Sequence, residues 1–270
     1  MKIKKTPLIW LVFFVFAFIA LSKIAQNYIE PREISITEQQ ALEIGKKIWQ
    51  NEGNGKPENL IVWNKSEDFP SLGIGHFIWY PENVEHSFQE SFPDLVSHIS
   101  KTREIPQWLK ENQDAPWQSR QEFLDNINSN HTRQLRRFLE DTTAEQTQFI
   151  VLRLEAALPK ILKTIKSGFV REKVRTNFYH VAMQKNGIYA LVDYVNFKGE
   201  GISPKERYND QGWGLLQVLE NLRGNTDNLM QEFVESADQR LTRRVANAPR
   251  DESMWLAGWR KRLQTYVSDH

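Results

Sequence analysis

The chain reads as a mainly α-helical (α+β) domain with one small β-hairpin, and three observations lead there. Apolar residues recur at helical spacing over most of the 270 residues, the pattern breaks once between Asn59 and Tyr80, and no repeat or long linker divides residues 36–270. The break is too short for a second domain. It is therefore read as a hairpin set into a helical body, and 40% hydrophobic content supports a sizeable core for it.

The first helix starts at Thr37, since Thr37 and Gln40 have capping-box spacing, Ile36 and Ala41 form a staple, and Ala41, Ile44, Ile48 and Trp49 make one stripe. Asn51 and Gly53 stop it. Glu52 is thereby left at the helix end, where the dipole is negative and Trp49 or Trp63 can exclude water; both effects disfavour a charged carboxylate. A carboxyl kept neutral near neutral pH can act as a general acid. Leu60-Ile61-Val62-Trp63 and Leu72-Gly73-Ile74-Gly75 then read as short strands. Alternation would set Ser71, Gly73 and Gly75 on one face and Leu72, Ile74 and His76 on the other. The small face would line a cleft floor where Glu67 faces Glu52, with Ser71 beside the gap and His76 turned away.

Short helices are expected around Asp94–Ile99 and Gln107–Asn112 in the otherwise irregular stretch from Pro81 to Pro116. Phe123 and Ile127, then Leu135, Phe138 and Leu139, mark the next two. A long helix covers Phe149 to Ile165 behind a capping box from Thr143 to Gln146. The Val170–Ala182 stripe, Ile188–Phe197, Leu215–Leu222, Leu229–Val245 and Trp255–Val267 supply the rest.

A second polar constellation runs from Asp193 to Gln217. Trp213 and Tyr208 can stack on sugar faces, while Asn196, Lys198, Arg207 and Gln217 can bond hydroxyl, acetamido or carboxylate groups. Glu200, between two glycines in a loop expected to be flexible, joins them as a binding residue and as the rival acid.

Ile48 through His76 resembles the catalytic segment of the phage-type lysozymes, in which Glu-Gly ends the first helix and a Thr-Ile-Gly-x-Gly-His strand follows. Here the segment reads Glu52-Gly53 and Ser71-Leu72-Gly73-Ile74-Gly75-His76, over roughly thirty residues. Trp63 stands eight positions before Ser71, as an aromatic residue does in that family, and Ser71 takes the Thr position. Two residues after the aromatic the family carries an Asp; this chain has Lys65, and Glu67 is the preferred substitute. The resemblance implies a lysozyme-like helical domain whose hairpin lines the cleft, with Glu52, Glu67 and Ser71 as catalytic residues and Trp63 and His76 among those that meet substrate. It also implies a glycosidase cleaving peptidoglycan between N-acetylmuramic acid and N-acetylglucosamine, without a cofactor. A weaker resemblance links Gly214-Leu215-Leu216-Gln217, fourteen residues after Glu200, to the Gly-Leu-Met-Gln segment of lytic transglycosylases. That route would give anhydro ends from a single acid. A non-catalytic glycan-binding scaffold is the alternative from another class, motivated by Lys65.

Composition narrows the partners. Thirty-five basic residues against 34 acidic ones argue against nucleic acid, and the absence of cysteine excludes disulfides, thiolate zinc sites and a cysteine nucleophile. No His-Glu-x-x-His or other metal spacing occurs. Residues 1–25 read as a signal peptide or single-pass anchor, with Lys2, Lys4 and Lys5 before the uncharged run from Leu8 to Leu21 and a tether over 26–35. If uncleaved, residues 8–22 hold the chain in the inner membrane. Either way the positive-inside rule delivers residues 26–270 to the periplasm or beyond.

Overall fold

A computed structural model describes residues 33–224 and 226–268. Residues 8–22, expected to target or anchor the chain, lie outside the described residues, and among the described residues no helix is long and apolar enough to cross a membrane. The described chain is mainly helical, with 11 α-helices and a small antiparallel sheet.

Helix α1 spans Glu38–Gly53 and starts as its sequence dictates: Thr37 caps it, with the side chain accepting from Gln40 N–H and the Gln40 side chain accepting from Thr37 N–H. It ends later than expected. Asn54, with φ of 50°, is the left-handed cap, so Glu52 lies inside the last turn. Helices α2 (Phe92–Ile99), α3 (Gln107–Glu111), α4 (Arg120–Asp125) and α5 (Asn130–Asp141) follow the hairpin.

The central element is α6, Thr143–Thr164, against which α1, α2, α7 (Gly168–Ala182) and α8 (Gly187–Lys198) pack. Where α1 crosses it stands Gly45. A Cβ there would lie 2.5 Å from Thr147 Oγ1, so only glycine permits this crossing without displacing the neighbour. Helices α9 (Leu215–Asn221), α10 (Leu229–Asn247) and α11 (Ser253–Gln264) complete the body, and one continuous apolar core runs from Ile48 to Tyr266.

The sheet departs from expectation in an instructive way. Strands β1 (Ile61–Val62), β2 (Ser71–Leu72) and β3 (Phe77–Ile78) pair in that order, antiparallel, with Ser71 opposite Val62 and Ile78. Residues 73–76, expected to continue a strand, form the turn between β2 and β3. Alternation therefore ends at Leu72. Gly73 takes φ of +70° and His76 φ of 49°, while Ile74 N–H leaves the ladder and donates to Gln146 Oε1 at 3.0 Å. Gln146 is the reason for the turn. Its amide nitrogen donates to Leu139 O and Thr142 Oγ1, and a Cβ at Gly73 would sit 2.3 Å from its oxygen. The Thr143 to Gln146 capping box does not form; Thr142 occupies the cap, and the fully buried Gln146 holds the hairpin tip instead.

Gln146→Leu keeps the volume but strands the Ile74 N–H and the Leu139 carbonyl in the core. Urea unfolding should show a loss of about 2–4 kcal/mol. A loss under about 1 kcal/mol would mean that the tip does not depend on this amide.

Candidate functional site

A charge inside an apolar helix is the starting point. Helix α8 carries Asp193 within Leu191-Val192-Asp193-Tyr194-Val195, and the residue is 1% exposed. A carboxylate buried so deeply needs partners on every lone pair. It has them. Arg262 of α11 donates Nε to one oxygen and Nη2 to the other, both at 2.8 Å; Tyr266 O–H donates at 2.6 Å, and Asn51 Nδ2 at 3.0 Å. Asn51 also donates to Tyr189 O–H, which in turn meets Thr265 Oγ1 at 2.8 Å. Three helices distant in sequence, α1, α8 and α11, are thus joined at one point.

The network surfaces at Glu52. Arg262 Nη2 reaches its Oε1 at 2.5 Å, across 210 residues of sequence. Burial acts to lower the Arg262 guanidinium, but the Asp193 hydrogen bonds and the Asp193 and Glu52 charges outweigh it and hold it above its ordinary value. The expectation of a neutral acid at the helix end had no cation in it; the structure supplies one. Glu52 Oε2 faces His76 Nδ1 at 3.9 Å, with Glu52 22% and His76 39% exposed in their side chains. His76, expected to turn away, faces Glu52 because it belongs to the turn and not to a strand.

The other hairpin residues are placed differently. Trp63 is 5% exposed, packs on Phe123 and donates its indole N–H to Glu67 O at 2.7 Å, so its faces belong to the core. Ser71 is buried on the middle strand. Glu67 is half-buried, and its carboxylate accepts from Asn64 Nδ2 at 3.0 Å within its own turn.

The second constellation separates into two parts. Trp213 is buried beneath Arg244, whose guanidinium lies 4.3 Å from the ring, and Tyr208 packs on Trp213 while donating to Glu252. Lys198 is buried with Nζ 3.5 Å from the Trp259 ring centre and 3.9 Å from that of Phe197. Burial, with the Arg244 charge adding and Glu252 opposing, pushes Lys198 down to about 7. Gln217 bonds Gly214 N and Gly201 O, and Arg207 sits half-buried on β4 (Arg207–Tyr208), paired with β5 (Gln211–Gly212). These side chains build the loop.

The other part opens onto space. Asn196 is exposed and Glu200 half-exposed, and both line a cavity of about 90 Å³ with Gly75, Phe77, Ile150 and Leu154. The loop carrying Glu200 was expected to be flexible; it is clasped. Glu206 accepts from Gly201 and Ser203 N–H, Leu216 N–H donates to Glu200 O, and a Cβ on Gly214 would stand 2.1 Å from Gly201 N. Burial raises the Glu200 carboxyl, Glu206 adds to this, and Lys160 and Arg153 oppose it.

Sequence reasoning missed Arg262, Tyr266, Tyr189 and the role of Asp193. Only Asp193 carries a local signal, as a charge amid apolar neighbours; nothing near Arg262 distinguishes it from the other basic residues. Among the described residues no group of three or more His, Asp or Glu is placed to hold a metal. No protein-family model, curated protein or solved structure matches the chain.

Asp193→Asn should destabilise strongly, by about 3–5 kcal/mol, because it leaves the buried guanidinium under-compensated. Glu52→Gln should cost far less, since Asp193 still neutralises Arg262. Equal losses in denaturant unfolding would contradict this division. Lys198 gives a pH signature: with the folded value near 7 and the unfolded one at 10.5, the unfolded chain binds more protons between them and stability should rise with pH over that window. The slope should approach at most about 1.4 kcal/mol per pH unit and vanish in Lys198→Met. An unchanged profile in the variant would assign the slope to another group.

Proposed function

We propose that the chain is a glycosidase of lysozyme-like fold that cuts the glycan backbone of peptidoglycan, with Glu52 as a catalytic carboxylate. The observation that carries this is the way Glu52 is held: one carboxylate at the end of α1, fixed by a buried network and presented to the tip of a hairpin. Stability alone does not call for it. Arg262 is already neutralised by Asp193, yet it extends a further N–H to Glu52 and leaves the second Glu52 oxygen toward the gap at His76. Rigid placement by residues that are themselves locked is what a reacting group requires.

Three further features support the reading. The helix end and the hairpin bring together the residues of the Glu-Gly and Gly-x-Gly-His resemblance. A small cavity beside the hairpin tip, lined by apolar and polar groups, offers the mixed surface that a sugar substituent such as an acetamido group would meet. The export segment read from the sequence would place residues 26–270 beyond the cytoplasm, where peptidoglycan lies and no nucleic acid is needed as partner. Glycosidic cleavage needs a proton for the leaving oxygen and a carboxylate for the oxocarbenium-like transition state or its attacking water. Glu52 supplies one of these.

Purified sacculi incubated with the full-length protein should release soluble muropeptides, identified by mass spectrometry. Glu52→Gln should lower that release by about 10²-fold or more. Reducing ends mean hydrolysis, whereas anhydro ends would redirect the reading to a lytic transglycosylase. Binding of sacculi with no release at all would make the chain a glycan-binding scaffold.

A further inference from the structure

Two carboxylates far apart in sequence lie beside consecutive residues of the hairpin turn, Gly75 and His76. Glu52 Oε2 faces His76, and Glu200 lines the cavity whose wall includes Gly75, the residue before it. Glu67 does not share this arrangement, being bonded to Asn64 in its own turn.

Resting on the glycosidase reading above, we infer that Glu200 is the second catalytic carboxylate and the proton donor of the pair, while Glu52 is the carboxylate that receives the proton of the attacking water. The two groups are built for different work. Glu52 is one side of an ion pair, so its negative charge is matched where it stands. Glu200 has no such partner at hydrogen-bond range among the described residues; it shares its cavity with the apolar side chains of Phe77, Ile150 and Leu154 and with Arg153 and Asn196, and burial favours its neutral form. Around it, Arg153 and Lys160 of α6 favour the charged form and Glu206 the neutral one. Pairs of carboxyls pushed apart by their environments are how acid and base roles are divided. The backbone that carries Glu200 is also held, since its loop is bonded to Leu216 and Gln217 at the start of α9 and to Glu206.

In the reaction, the Glu200 O–H gives its proton to the glycosidic oxygen as the bond from that oxygen to the anomeric carbon breaks. Water attacks the anomeric carbon from the other side and yields its proton to Glu52. One water is consumed and no other reactant enters. Exchange with solvent then returns the Glu200 proton and removes the one on Glu52.

The two roles are separated by leaving group. A substrate that needs no protonation, such as a 2,4-dinitrophenyl glycoside of an N-acetylglucosamine oligomer, bypasses the acid but not the partner carboxylate. Full-length Glu200→Gln, isosteric and checked for an unchanged unfolding midpoint, should lose about 10²-fold or more on sacculi while keeping most of its dinitrophenyl glycoside turnover. Glu52→Gln should lose both. Wild-type release from sacculi by Glu200→Gln, or rescue by the activated leaving group in Glu52→Gln instead, would overturn the assignment and leave the glycosidase reading standing. Wild-type protein inert on both substrates would overturn that reading and the assignment with it.

Discussion

A guanidinium with two carboxylates on it is the interaction on which the rest of the structure depends. Arg262 satisfies the buried Asp193 through two hydrogen bonds and reaches Glu52 through another, so a charge that α8 could not carry alone becomes the point where α1, α8 and α11 meet. Buried pairs of this kind contribute little net stability against apolar packing, but losing one partner is costly. That asymmetry explains the density of bonds around Asp193. Asn51 and Tyr266 complete its shell, and the hydroxyl of Tyr189 links the shell to Thr265. The exposed product of the arrangement is a carboxylate with one oxygen held and the other open.

The hairpin is positioned by a second, independent constraint. Gln146 is buried at the start of α6 and supplies the acceptor for Ile74 N–H, while Gly73 and Gly45 let the turn and α1 come close to the same helix. Helix α6 therefore sets both sides of the gap. Glu52 arrives on α1, which crosses α6 at Gly45; His76 and Gly75 arrive on a turn bonded to Gln146; and Ile150 and Leu154 of α6 line the cavity that Glu200 enters from the end of α8.

Local chemistry was legible in the sequence wherever it was decided locally. The cap at Thr37, the helical stripes and the break at the hairpin follow from spacing and composition, and the elements appear where those signals are. The turn at residues 73–76 was not legible, since Gly73-Ile74-Gly75-His76 continues a strand pattern and only a glutamine 72 positions away diverts it. Trp213, Tyr208 and Lys198 read as a binding surface because polar and aromatic residues crowd there. They pack instead with Arg244, Glu252 and Trp259, and the resulting scaffold fixes the Glu200 loop. Arg262 has no signature beyond its charge, and its role follows only from a contact across 210 residues.

That contact is the direct point of test. A double-mutant cycle on unfolding free energy, with Glu52→Gln, Arg262→Met and the two combined, isolates the coupling between residues 52 and 262. The ion pair described here predicts a coupling of about 0.5–3 kcal/mol, of stabilising sign. Additive effects, with a coupling indistinguishable from zero, would mean that Arg262 does not hold Glu52 in solution and that the network ends at Asp193.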